Sequence, residues 1–183
     1  MSKCDTCVLI ENTNASVSFH LPATMCDFWA MVYQEGVSHV VFMARLTEDG
    51  IVKCEQYWPD AGLETYGHVT VRHVTTRHYA DFTQRTFDIS AGGGQRARRV
   101  TQHQFTAWPD HGTPADPIPL YEFRTMLRAR TPADRKSGPL LVHCGTGVSR
   151  AAVFIAVDSL LEQAREEHVV NVFNFCNKMR RYV

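Results

Sequence analysis

The chain has 183 residues, 44% of them hydrophobic, enough for one domain with a sizeable core. Nineteen basic side chains balance nineteen acidic ones, so no whole-chain field directs it to nucleic acid or to a membrane surface. The apolar run from Val153 to Leu161 is too short to cross a bilayer and contains Asp158, and no secretory leader is legible.

Cys4 and Cys7 form a C-x-x-C, but no second ligand pair follows at finger spacing, so no metal site is expected. Cys26, Cys54, Cys144 and Cys176 are scattered and do not read as a disulfide framework. Asn14-Ala15-Ser16 is a glycosylation sequon only in a secreted chain, which nothing else supports. From Ala23 to Glu35 the apolar residues recur at helical spacing, with Phe28, Met31 and Val32 on one face. His39 to Met43 is a short β-branched run that predicts a buried strand. Val69, Val71 and His73 alternate with Thr70 and Arg72, as in a half-exposed strand. Arg85 to Ile89 and Arg99 to Ala107 predict further strands of a meander. Arg96, Arg98 and Arg99, beside a glycine run, read as a hairpin entering the last of these. Leu120, Phe123 and Leu127 mark a second helix ending near Pro132. Leu140 to Val142 is a central strand, followed by a helix from Arg150 to Arg165 and an amphipathic helix with Val169, Val172, Phe173 and Cys176. No repeat, linker or domain boundary interrupts this order, and residues 1–183 are expected to form one α/β domain.

The segment from Leu140 to Leu161 (LLVHCGTGVSRAAVFIAVDSLL) carries the chemistry. Strand, tight loop and helix N-terminus in that order make an anion cradle, because amides at a helix start point into the loop and the helix dipole favours negative charge there. Gly145 and Gly147 let the loop curl so that successive amides converge. Cys144 in such a cradle is expected to be a thiolate nucleophile. Arg150, six residues on, offers a planar fork for two oxygens of a phosphate. A nucleophile under phosphate-sized donors describes a phosphoryl-transfer site. His143 reads either as a hydrogen-bonded core histidine or as an orienting neighbour; the second is favoured, with its ring bonded to loop backbone.

HCGTGVSR resembles the cysteine-x5-arginine signature of the protein tyrosine phosphatases. TAWPDHGTP (Thr106 to Pro114) resembles that family's mobile acid loop, KCEQYWPD (Lys53 to Asp60) the segment after its first central hairpin, and DFWAMVYQEGVSHVVFMARL (Asp27 to Leu46) the helix and strand before it. The four occur in the family's order and span nearly the whole chain. The resemblance implies a central twisted mixed sheet flanked by helices, with the signature loop between a central strand and a helix N-terminus. It also implies a two-step reaction without metal or cofactor. Cys144 attacks phosphorus, the loop of Gly145, Thr146, Gly147, Val148 and Ser149 holds the oxygens with His143 and Arg150, and Asp110 protonates the leaving phenolate. Water then hydrolyses the cysteinyl phosphate with Asp110 as base.

Trp108 and Pro109 would anchor and stiffen the acid loop. Two readings stay open for Glu48 and Lys53: solvated hairpin charges, or the family's glutamate that salt-links the signature arginine and its lysine near the acid loop. A sulfurtransferase of the rhodanese type also uses a cysteine loop but leaves TAWPDHGTP unexplained.

Departures bear on the second step. The family carries a later loop whose glutamine positions the hydrolytic water, and an earlier segment whose aromatic stacks on phosphotyrosine; neither is found in these 183 residues. Ala151 stands where most relatives have a hydroxyl that assists cysteine departure, and Ser149 replaces a common glycine. The expectation is a truncated catalytic domain, cytoplasmic because a thiolate needs a reducing compartment, acting on phosphotyrosyl proteins, with an impaired second step. The alternative is a pseudophosphatase that binds phosphotyrosyl proteins without efficient turnover.

Overall fold

The computed structural model describes residues 7–10, 14–18, 24–92, 96–131, 138–145 and 149–179, the first two runs as backbone only. It is an α/β fold. An eight-stranded sheet contains, in chain order, β1 (Cys7–Ile10), β2 (Asn14–Ser18), β3 (His39–Phe42), β6 (Leu63–Tyr66), β7 (Val69–His78), β8 (Phe82–Ala91), β9 (Arg98–Phe105) and β10 (Leu140–Cys144). A separate hairpin pairs β4 (Thr47–Glu48) with β5 (Ile51–Val52). The helices are α1 (Met25–Gln34), α2 (Ile118–Arg130), α3 (Arg150–Glu167) and α4 (Val172–Met179).

The spatial order is β1-β2-β10-β3-β9-β8-β7-β6. The pairs β2–β10, β10–β3 and β3–β9 are parallel; the remaining pairs form an antiparallel meander. β10 is covered on both sides and reads as the continuous apolar run expected of a buried parallel strand. β1 and β2 lie within residues 1–22, ahead of the first element read from the sequence, and the sequon begins β2.

Helix α1 packs through Phe28, Trp29 and Val32, while Met31, expected on that face, is only partly buried. Each fully buried side chain of this size contributes about 1.5–3 kcal/mol. The Trp29 indole also donates to the Tyr57 carbonyl at 2.7 Å. Arg98 does not face outward with its basic neighbours. It donates to the carbonyls of Val32 (2.8 Å), Tyr33 (3.2 Å) and Val37 (2.7 Å), satisfying the open end of α1.

On the other side, α2 buries Leu120, Phe123 and Leu127. Its Arg124 and Arg128 both donate through Nε at 2.8 Å to Asp158 Oδ1 of α3, a buried carboxylate, and Arg124 also pairs with Glu162. The amphipathic α4 exists as expected, but Val172 and Phe173 on it are exposed.

Gly138, just ahead of β10, lies against the turn after α1; its N–H donates to the Gly36 carbonyl at 3.2 Å. A Cβ there would sit 2.3 Å from the Glu35 carbonyl oxygen and 2.4 Å from the Gly36 carbonyl carbon, both backbone atoms. Gly138→Ala should therefore destabilise the fold by roughly 1–3 kcal/mol, measured as a lowered urea midpoint at unchanged slope. Wild-type stability would refute the close approach.

His103 on β9 is fully buried beside His39, whose Nδ1 lies 3.2 Å from His103 Nε2. Burial, reinforced by His39 and Arg130, pushes His103 down to about 3. An unfolded histidine titrates near 6.5, so below that pH only the unfolded state takes up this proton. Stability is then complete above about pH 6.5 and falls by up to about 1.4 kcal/mol per pH unit down through about pH 3. Urea titrations at several pH values should show this decline, and His103→Phe should flatten it; equal slopes would rule it out.

Candidate functional site

The site begins at the end of β10. His143↔Phe42 and Cys144↔Ser18 are register partners, which places Cys144 last in a strand held on both sides. Gly145 follows and α3 starts at Arg150, so strand, loop and helix N-terminus occur in the expected order. Thr146, Gly147 and Val148 lie outside the described residues. A cleft is lined by Ala44, Glu48, Lys53, Cys144, Gly145, Ser149 and Arg150. Gly145 has no room for a side chain, because a Cβ would meet the Lys53 carbonyl oxygen at 2.7 Å.

Glu48 reaches this cleft through local turn chemistry. Asp49 (φ 48°) and Gly50 (φ 74°) both adopt left-handed backbone, the requirement of a two-residue hairpin turn for which Asp-Gly is a preferred pair. The β4–β5 hairpin carries Glu48 inward, where it is 2% exposed. Its two oxygens accept from Arg150 Nη1 at 2.5 Å and Nη2 at 2.8 Å, a bidentate pair, and Oε1 also accepts from the Arg45 backbone N–H at 3.2 Å. The solvated-hairpin reading does not describe this carboxylate.

The acid-loop segment meets the same guanidinium. Arg150 Nη2 donates to the carbonyls of Pro109 at 3.1 Å and Asp110 at 3.2 Å. Its Cζ stands 5.9 Å from the buried Trp108 ring. Trp108 Nε1 donates to the Gly112 carbonyl at 3.1 Å across the turn, and Gly112 itself is left-handed. His111 Nε2 lies 2.9 Å from Asp49 Oδ2 at the hairpin tip. Asp110 does not line the cleft with Cys144; it joins the site through its carbonyl bond to Arg150. Its Oδ1 is a buried atom without a hydrogen bond, 3.7 Å from Arg45 Nη1.

Lys53 lines the cleft, but the cation that faces Asp110 is Arg45, which sequence reasoning missed. Arg45 also donates from Nε to the Thr106 carbonyl at 3.1 Å, fastening the loop's first residue. The one available signal was its position three residues past the buried strand β3 and three before Glu48.

Behind Cys144, His143 is fully buried and stacked on Phe42, with centroids 4.5 Å apart. Burial pushes it down to about 3, opposed by a backbone hydrogen bond at Cys144, so the ring is neutral near pH 7. Its Nε2 lies 2.7 Å from the Tyr57 hydroxyl oxygen. Where the sequence favoured a bond to loop backbone, the structure places a core partner, Tyr57, that the sequence did not disclose. Cys54 is buried near Cys144, and burial, then Glu55 and Cys144, push its thiol up to about 12. Cys54 is therefore a neutral thiol and no rival nucleophile. Among the described residues no group of three or more His, Cys, Asp or Glu side chains could hold a metal ion, and no helix is long and apolar enough to cross a membrane.

Removing one partner of a buried ion pair leaves an uncompensated charge and typically costs about 3–5 kcal/mol. Arg150 keeps partial exposure, so Glu48→Ala should cost toward the lower end, about 3 kcal/mol. Urea denaturation measures it, and a loss under about 0.5 kcal/mol, the scale of a surface pair, would contradict the buried pairing.

The model of the protein-tyrosine phosphatase family matches residues 11–182. Receptor-type tyrosine-protein phosphatase F of Rattus norvegicus is 42% identical over 170 residues, 93% of this chain and 9% of that protein. The Homo sapiens protein of the same name is 41% identical, also over 93% of this chain and 9% of its own length, and tyrosine-protein phosphatase Lar of Drosophila melanogaster 40%, over 93% and 8%. The chain thus spans about a tenth or less of the length of these curated relatives. Sheet order, signature segment and these likenesses agree: the chain belongs to the protein-tyrosine phosphatase family.

Proposed function

We propose that residues 1–183 act as one catalytic domain that hydrolyses phosphotyrosine in proteins through a cysteinyl-phosphate intermediate. The observation that carries this reading is the guanidinium of Arg150, which joins Glu48, the acid-loop carbonyls and the cleft of Cys144.

A phosphate entering the cleft meets Cys144 Sγ at the end of a rigid strand and Arg150 at the start of α3. Glu48 fixes the guanidinium plane, so the fork is oriented before substrate arrives and little reorganisation is required. The Cys144 sulfur attacks phosphorus in line, the P–O(aryl) bond breaks, and Asp110 gives its proton to the departing phenolate. In the second step water attacks phosphorus, Asp110 takes the water's proton, and the P–S bond breaks to free the thiolate and inorganic phosphate. His143, neutral and buried, orients the start of the loop and takes no part in proton transfer.

Ala151 is fully buried at the first turn of α3 and has no hydroxyl to donate to the departing thiolate. That supports a second step slower than the first. The three reacting groups favour turnover over a binding role alone. Cys26, Cys54, Cys144 and Cys176 are all free thiols, which suits a reducing, cytoplasmic compartment. Phosphotyrosyl proteins are the proposed partners, without nucleic acid and without insertion into a membrane.

Rapid-quench kinetics with an aryl phosphate should show a burst matching the enzyme concentration followed by slower steady turnover, and Cys144→Ser should abolish both. A burst with no turnover would instead establish capture without release, and no burst would overturn the proposal. Asp110→Asn should lower kcat by about 10²-fold or more for a phenyl leaving group, and much less for an activated nitrophenyl one. Equal losses for the two would remove Asp110 from the acid role.

A further inference from the structure

The buried polar groups behind the cleft form a chain whose direction is set at one end. Arg85 on β8 lies half-buried over Trp58, its Cζ 4.6 Å from the ring centroid. Its Nη1 donates to Gln102 Oε1 at 3.0 Å and to Gln104 Oε1 at 2.8 Å, alternate residues on one face of β9. Gln104 Nε2 donates onward to the carbonyl of Ala44, in the cleft wall, at 2.9 Å. Gln102 Nε2 donates to the Tyr57 hydroxyl at 2.7 Å, and that hydroxyl lies 2.7 Å from His143 Nε2.

Each orientation follows from donor and acceptor inventory. A guanidinium has five donors and no acceptor and stays protonated, so both amides must turn their oxygens to Arg85. Gln104 is thereby held between a group that only donates and a carbonyl that only accepts. The Tyr57 hydroxyl receives from Gln102 and has one hydrogen left, which it must give to His143 Nε2. A neutral imidazole that accepts at Nε2 carries its hydrogen on Nδ1.

We propose that Arg85, remote from the cleft, is a positioning residue for the reaction: through Gln102 and Tyr57 it fixes the Nδ1–H tautomer of His143, and through Gln104 it holds the Ala44 wall. Without the guanidinium the Gln102 amide is free to turn over and accept from Tyr57. His143 then has no donor at Nε2, takes its hydrogen there and leaves Nδ1 bare. The buried ring next to Cys144 in β10 then turns an acceptor where it had a donor, and the nucleophile loses its fixed place. The kinetic part of this inference rests on the phosphatase reading above; the tautomer part does not.

The test measures the His143 tautomer by two-bond 1H–15N correlation in the full chain labelled at histidine, with the signal assigned through His143→Gln. Wild type should show Nδ1–H. Gln102→Glu keeps the shape and the Arg85 contact but cannot donate to Tyr57, so it should switch His143 to Nε2–H. Arg85→Met should do the same, whereas Arg85→Lys, still a donor to both amides, should retain Nδ1–H. The two switched variants should lose roughly 10- to 100-fold in kcat, the scale of a mispositioned reacting group, with KM nearly unchanged. An Nε2–H tautomer in wild type, an Nδ1–H tautomer retained in Gln102→Glu, or a switched tautomer with wild-type kcat would each overturn the proposal. Should Arg85→Met fail to fold, Gln102→Glu decides it, and a chain without phosphatase turnover would still report the tautomer.

Discussion

The bidentate pair between Arg150 and Glu48 is the contact on which the rest of the site depends. A guanidinium left partly buried and unpaired is costly, and a fork of five donors is satisfied only by acceptors arriving from several directions. Here they arrive from parts of the chain far apart in sequence: a two-residue hairpin supplies Glu48, the segment after β9 supplies the carbonyls of Pro109 and Asp110, and α3 supplies Arg150 itself. The helix is in turn fixed by Asp158, whose carboxylate receives two arginines of α2. One side chain thus ties the loop that bears Asp110 to the N-terminus of α3.

Charge is distributed unevenly around the cleft. The cleft side holds Arg150, the start of α3 and Lys53. The side behind Cys144 holds His143, Tyr57 and Cys54, all neutral near pH 7 because burial penalises their charged forms. A neutral wall behind and cations in front favour an anion on one side only. This asymmetry depends on satisfying the wall's polar atoms internally, since unpaired buried dipoles would weaken the fold that supports them.

Much of this was legible in the sequence, for identifiable reasons. Parallel buried strands leave continuous apolar runs, so β3 and β10 were readable within a residue or two; α1, α2 and α3 follow their 3.6-residue periodicity. The signature and acid-loop segments are short and local, and their residue types state their chemistry. Glu48 was half legible, since Asp49-Gly50 announces a hairpin but not what its last strand residue faces. What could not be read depends on neighbours brought together only by folding. β1 and β2 are short strands that join the sheet only through the pairing of β2 with distant β10. Arg98 looks like one more surface cation until the end of α1 is placed against it. Arg45 and the Arg85–Gln102–Tyr57 chain consist of ordinary residues on separate elements, with no spacing to announce them. The exposure of Phe173 likewise cannot follow from a periodicity that predicts only amphipathicity.

The mixed topology has a consequence for the order of assembly. The meander from β6 to β9 joins strands close in sequence, so its loops close at modest entropic cost. β10 must be recruited across a long separation to lie between β2 and β3, and closing such loops is slow because their entropy is lost before the contacts form. Pulse-labelled amide exchange during refolding would read this order strand by strand. On this account the chain builds its scaffold first and installs Cys144 last, so a half-folded molecule holds this cysteine but not yet the cleft around it.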